Sequence, residues 1–184
     1  MNIKKAVLAA IAAAFIAIAA RITIALPGVE IPVTLQTAAV LLAGAALGAN
    51  AGGMAIVFYL MLGVLGFPVF ADGASGGTVL FGPSGGYLLG FWFAAVMLGI
   101  ASDTGWLWRY PLLLPLWMMA AHVIILLFGA GLLSFSLGIT AAWFNGVTPF
   151  LLGGVAKSML AALLAYPCYG LIRALARQSG KEVT

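Results

Sequence analysis

The chain has 184 residues, of which 65% are hydrophobic and 7% charged, with a mean hydropathy of +1.21 and a formal net charge of +4. An ordinary globular domain is roughly half apolar and about a quarter charged, so this composition excludes a water-soluble enzyme and points to an integral membrane protein. The basic residues flank apolar segments instead of forming a patch, so the charge reads as membrane topology and not as a nucleic-acid footprint.

Six apolar stretches predict spans at about 6–26, 33–49, 52–67, 84–102, 111–132 and 149–172. They lack the dyad alternation of a membrane barrel, which leaves helices as the spanning elements. The expected fold is an all-α six-helix bundle, one transmembrane domain over 1–184, without internal repeat or second domain.

Span one follows Lys4 and Lys5 and runs past Arg21 to Leu26. That approaches the ~20 residues of a crossing and exceeds a secretory core of about 7–15, so the segment is expected to be retained. Two rows of alanine at four-residue spacing, Ala6, Ala10 and Ala14 and then Ala9, Ala13 and Ala17, give it small-residue faces. Such faces let helices approach closely. They serve either to dock a partner helix or to pack span one against its own bundle.

Pro27, Gly28 and Pro32 break the helix in the 27–32 linker. Spans two and three are short, and the uncharged Gly48-Ala49-Asn50-Ala51-Gly52-Gly53 between them predicts a tight hairpin. Residues 67–83 hold too much glycine for a helix and too many aromatics for a tether, which predicts an ordered lid packed on the bundle. Ser84 and Tyr87 open span four, where unpaired helix N–H groups suit a polar ligand; an interfacial tyrosine anchor is the plainer reading. In span five, His122 has no carboxylate or second histidine nearby and reads as a packing residue. Residues 133–148, including Trp143 and Asn145, are expected at the membrane interface. Gln36, Thr34, Thr37 and Asn145 suit interhelical hydrogen bonds as well as a ligand. The single cysteine, Cys168, excludes an intrachain disulfide and reads as a buried structural thiol.

Lys157 sets the functional question. It lies about eight residues beyond Pro149, or roughly 12 Å of helical rise, deeper than a lysine stem recovers by snorkelling. A cation there is costly in hydrocarbon and calls for a ligand or an ion-pair partner. A substrate carboxylate is the natural partner and Asp72 the intramolecular rival. With six spans both termini share a side, which collects Lys4, Lys5, Arg109, Arg173, Arg177 and Lys181, while the other holds Arg21, Glu30 and Asp72. The positive-inside rule then makes the termini cytoplasmic and the lid external. No phosphate-binding P-loop, zincin helix, nucleophile elbow or intramembrane carboxylate pair is present, so no enzymatic activity is expected and any uphill transport needs energy from a partner.

Four segments in order, Ile31-Pro32-Val33-Thr34-Leu35-Gln36-Thr37, Leu42-Ala43-Gly44-Ala45-Ala46-Leu47-Gly48, Tyr59 through Phe70, and Phe81-Gly82-Pro83-Ser84-Gly85-Gly86-Tyr87-Leu88-Leu89-Gly90-Phe91, resemble the BioY family over nearly the whole chain. These are biotin-specific substrate-binding (S) components of energy-coupling factor (ECF) transporters. The resemblance implies a multi-pass protein of the prokaryotic inner membrane, with a vitamin pocket near the outer face. It also implies alanine motifs that dock a transmembrane coupling protein, and ATPase subunits that use the ATP. The chain itself would need no cofactor. Solitary function as a homo-oligomer is the other mode, and a structural or assembly protein in the lipid bilayer, joined to partners by its alanine rows, is the other functional class.

The family segment P-F-L-P-G-D-x-x-K is similar to Pro149-Phe150-Leu151-Leu152-Gly153-Gly154-Val155-Ala156-Lys157. Lys157 falls on the motif lysine, whereas Gly154 stands where the motif has its acid. The resemblance implies that both positions contact the vitamin; without the acid, either Asp72, Asn145 or Ser75 replaces the missing acceptor, or affinity is lower, or the substrate differs in its head group. Lys157 is expected to meet the carboxylate, Phe70 and Tyr87 to flank the rings, and Gln36 to add a polar contact.

Overall fold

The computed structural model describes residues 3–24 and 31–178. Residues 27–30 of the first linker, with Glu30, and Lys181 lie outside them. The helices are α1 (Ile3–Ala19), α2 (Gln36–Val64), α3 (Gly85–Asp103), the short α4 (Trp106–Arg109), α5 (Leu114–Leu137), α6 (Ile139–Gly146) and α7 (Thr148–Gln178). Four segments, Gln36–Val64, Gly85–Asp103, Pro111–Leu137 and Thr148–Ala174, are long and apolar enough to cross a membrane. Ile11, Phe15, Leu116, Leu127, Phe135 and Leu163 are exposed on the outside of the molecule. With four such segments and so much exposed apolar surface, which lipid tolerates and water does not, this is a multi-pass membrane protein.

The span named α2 is two helical runs that meet at Gly48, whose φ of 80° and ψ of 174° are far from helical values. The side chain of Gln36 bonds the Tyr59 hydroxyl, 23 residues on. A straight helix would separate that pair by about 34 Å, so the chain doubles back at Gly48. The turn is where the uncharged glycine-rich segment predicts a hairpin. Asp103 closes it, its Oδ2 accepting from the Ala49 N–H at 2.9 Å. A side chain on residue 48 would meet that carboxylate and would also have to adopt a positive φ.

Span one is shorter than the expected 6–26. Its helix ends at Ala19, and Thr23 and Ile24 form β1, paired antiparallel with β2 (Val33–Thr34) in the register Thr23↔Thr34 and Ile24↔Val33. Four β-branched residues facing each other favour this ribbon over two more turns of helix. The stretch 133–148, expected at the interface, is helical for most of its length. Ser134 and Ser136 return their hydroxyls to the carbonyls of Gly131 and Leu133, at 2.7 and 3.0 Å, so α5 passes through them to Leu137. Gly138 (φ 79°) then turns the chain into α6.

In the bundle α3 packs between α2 and α5, α1 lies on α2, and α7 lies against α2 and α5. The alanine rows are divided by this arrangement. Ala9 and Ala13, with Ile16 and Ala20, are buried, and Ala17 is half-buried. The helix that α1 packs against is α2. Those positions seat α1 in its own bundle, contrary to the docking expectation for their row. Ala10 and Ala14 remain exposed and Ala6 half-buried.

Candidate substrate-binding site

A cavity of about 260 Å³ opens where β2, the start of α2, the lid, the start of α3 and the middle of α5 and α7 converge. That is near the lower end of the ~300–1,000 Å³ usual for small-molecule sites. Its walls are mainly apolar, from Ile31, Leu88, Phe91, Ile125, Leu126 and Phe150, with a few polar groups from Thr34, Gln36, Thr37, Asp72, Ser84, His122 and Lys157. An apolar shell with few convergent polar groups suits a small, largely apolar ligand oriented by a charged or hydrogen-bonding group.

The lid forms the cavity's cover through residues 70–79. Phe70 is 2% exposed and stands edge-on to Tyr59, with ring centroids 5.5 Å apart. Gly63 makes that seat, since a Cβ there would overlap the Phe70 ring. The Gly76 N–H reaches the Gly63 carbonyl at 2.7 Å, and the Phe70 N–H reaches the Ala74 carbonyl at 3.1 Å. Two short 3-10 turns, Ala71–Gly73 and Gly77–Phe81, complete an ordered loop packed on the bundle. Asp72 is the only non-glycine residue with positive φ (54°) among the described residues, an uncommon conformation that aspartate tolerates better than most.

Lys157 projects from α7 into this cavity and is 8% exposed. Its Nζ donates to the Thr34 carbonyl at 3.2 Å, the one hydrogen bond it makes among the described residues. An ammonium has three donors, so two remain for a ligand. The rival expectation, a bond to Asp72, is not what the amine makes, although both residues line the cavity. Tyr87 also lines it, resting against Phe150 at 5.9 Å between centroids, but its hydroxyl donates to the Gly146 carbonyl at 2.6 Å and so ties α3 to α6. Gln36 lines it with its amide held by Tyr59.

Of the expected replacements for the missing acid, only Asp72 faces the cavity. Ser75 is exposed on the lid and Asn145 is half-buried on α6, neither among the lining residues. Gly154 is buried against the His122 ring. His122 itself was expected to be packing, yet it lines the cavity, is 2% exposed, and neither ring nitrogen has a partner among the described residues. The Thr37 hydroxyl is unpartnered in the same way. The sequence signal for His122 was its type and place: an ionisable group inside an apolar span is a functional candidate even without a neighbour in sequence.

A family model described as the BioY family matches residues 1–174. A probable biotin transporter BioY of Pyrococcus horikoshii is 33% identical over 165 residues, 90% of this chain and 96% of the relative. A biotin transporter of Lactococcus lactis subsp. cremoris is 36% identical over 172 residues, covering 91% and 90%. The crystal structure of the S-component for biotin from an ECF-type ABC transporter superposes with a TM-score of 0.71 at 26% identity, covering 90% of this chain and 92% of that one. The chain belongs to the BioY family.

Proposed function

We propose that this chain is the substrate-binding component of a biotin uptake system, holding the vitamin in the cavity beneath the lid and delivering it inward with an ECF coupling protein and its ATPases. It acts as a transporter component and not as an enzyme. The observation that carries the reading is Lys157, a buried ammonium with unfilled donors facing an apolar cavity in a chain that matches the BioY family along its length. A carboxylate fits that amine, and apolar walls such as Phe91 and Phe150 fit fused rings.

In this reading the chain crosses a prokaryotic inner membrane six times, through α1, the two halves of α2, α3, α5 and α7, with both termini cytoplasmic. The reversal at Gly48 supports that count, because it divides α2 into two antiparallel runs. The basic residues Lys4, Lys5, Arg109 and Arg173 then fall on one side and the lid on the other. The assembly alternative needed Lys157 to pair with Asp72, and the amine bonds a backbone carbonyl instead.

The test is equilibrium binding of labelled biotin to the purified protein, wild type against Lys157→Met. Losing one partner of a buried charged pair costs about 2–5 kcal/mol, so affinity should fall at least about 30-fold. Saturable wild-type binding that survives the substitution would remove Lys157 from the site. No wild-type binding by folded protein would overturn the biotin reading.

A further inference from the structure

Gly154 and His122 are fitted to each other. A Cβ on residue 154 would stand 2.6 Å from His122 Nε2 and 2.7 Å from its Cδ2, inside any tolerable contact, so the imidazole occupies the volume that a side chain at 154 would take. The ring is 2% exposed and faces the cavity with both nitrogens unpartnered among the described residues. Gly154 and Lys157 are three residues apart and share one face of α7, which puts the imidazole and the ammonium at the same end of the cavity. A buried polar group usually has a partner, and one without it is costly unless something absent from the apo protein supplies the bond.

We propose that His122 is a second ligand-contacting residue, gripping the same polar end of the vitamin as Lys157, and that Gly154 is the space that lets it do so. A neutral imidazole offers one N–H and one lone pair. Against a carboxylate held by the Lys157 ammonium, the ring N–H takes the second oxygen. An acidic side chain at 154 and this histidine exclude each other sterically, so the helix facing α7 supplies a donor where the family motif has an acceptor. The inference rests on the biotin reading of the cavity.

Biotin affinity and thermal unfolding are measured for the wild type, His122→Leu, His122→Gln, Gly154→Ala, Lys157→Met and the His122→Leu/Lys157→Met pair. His122→Leu should weaken binding about 10- to 100-fold without lowering the unfolding temperature of the apo protein, because the ring it removes has no partner there. His122→Gln, which keeps a donor and an acceptor, should lose less. Gly154→Ala should weaken binding by displacing the ring tip. The double variant should lose less than the product of the two single losses, as expected for residues acting on one group.

Wild-type affinity in His122→Leu and Gly154→Ala, or strictly multiplicative losses in the double variant, would overturn the assignment while leaving the biotin reading intact. If His122→Leu fails to fold, the ring is structural and the assignment is equally overturned unless His122→Gln and Gly154→Ala, folded, both lose affinity. Absence of biotin binding in the wild type would remove the underlying reading, and this inference with it.

Discussion

The Tyr59 hydroxyl joins three parts of the molecule at one atom. It accepts from the Gln36 side chain on the first half of α2 and donates to the Val69 carbonyl of the lid at 3.2 Å, while its own ring backs Phe70. Tyr59→Phe keeps the packing and leaves a buried amide and a carbonyl without their partner. A cost of about 1–3 kcal/mol follows, visible as a lower unfolding temperature, with weaker biotin binding because Gln36 lines the cavity. An unchanged unfolding temperature would show that the relay bears no load. At this scale the sequence was legible where a residue's type was expensive for its place. Lys157 stands out because a charge in an apolar span must be answered, and the structure puts it in the cavity wall. Gln36, Phe70, Asp72 and Tyr87 are there too, while Ser75, Asn145 and Gly154 are not, the last because the His122 ring stands against it. The misses at Ser75 and Asn145 have one cause: the direction in which a loop or interfacial side chain points depends on tertiary packing, and spacing along the chain carries none of it. The fit between His122 and Gly154 was not legible, because the two stand on different helices and are adjacent only in space.

Among the elements, α1 shows how a small-residue pattern can be read without being assigned. Alanines four apart lie on one face whether that face meets the bundle or a partner, and only the packing separates them. With Ala9 at 0% and Ala13 at 1% exposure on the helix that packs against α2, leucine at either position overfills that interface. Ala9→Leu and Ala13→Leu should therefore destabilise the bundle by about 1–3 kcal/mol, with ligand binding falling in step with unfolding. Ala10→Leu and Ala14→Leu, on the exposed face, should stay within about 0.5 kcal/mol of wild-type stability. They should bind biotin normally and fail to co-purify with the coupling protein. Retained co-purification in the latter pair would move the docking surface away from α1. The other element boundaries follow the same division. Apolar runs located α3 and α7 closely, whereas the β1–β2 ribbon and α6 are too short for periodicity to reveal and arise from strand pairing and a positive-φ glycine.

At the scale of the whole molecule, the site and the topology constrain each other. The starts of α2 and α3, the lid and Phe150 near the start of α7 all contribute to one cavity, whereas the Gly48 turn and Asp103 meet at the far ends of the same helices. If the chain reverses at Gly48, those two groups of residues must face opposite sides of the membrane, and the orientation we propose from the basic bias has the cavity outside. The sequence anticipated the reversal at Gly48 because in lipid each run must satisfy its own backbone, leaving reversals only where polar or glycine-rich segments reach water. Cysteine labelling makes the claim measurable. In a Cys168→Ser background, Ser75→Cys on the exposed lid should react with a membrane-impermeant maleimide on intact cells. Asn50→Cys, exposed beside the Gly48 turn, should react only after the membrane is opened. Labelling of both from outside would mean that α2 does not form two crossings. Labelling of Asn50→Cys alone would invert the molecule and leave Lys157 to receive its ligand from the cytoplasm, which an uptake component could not use.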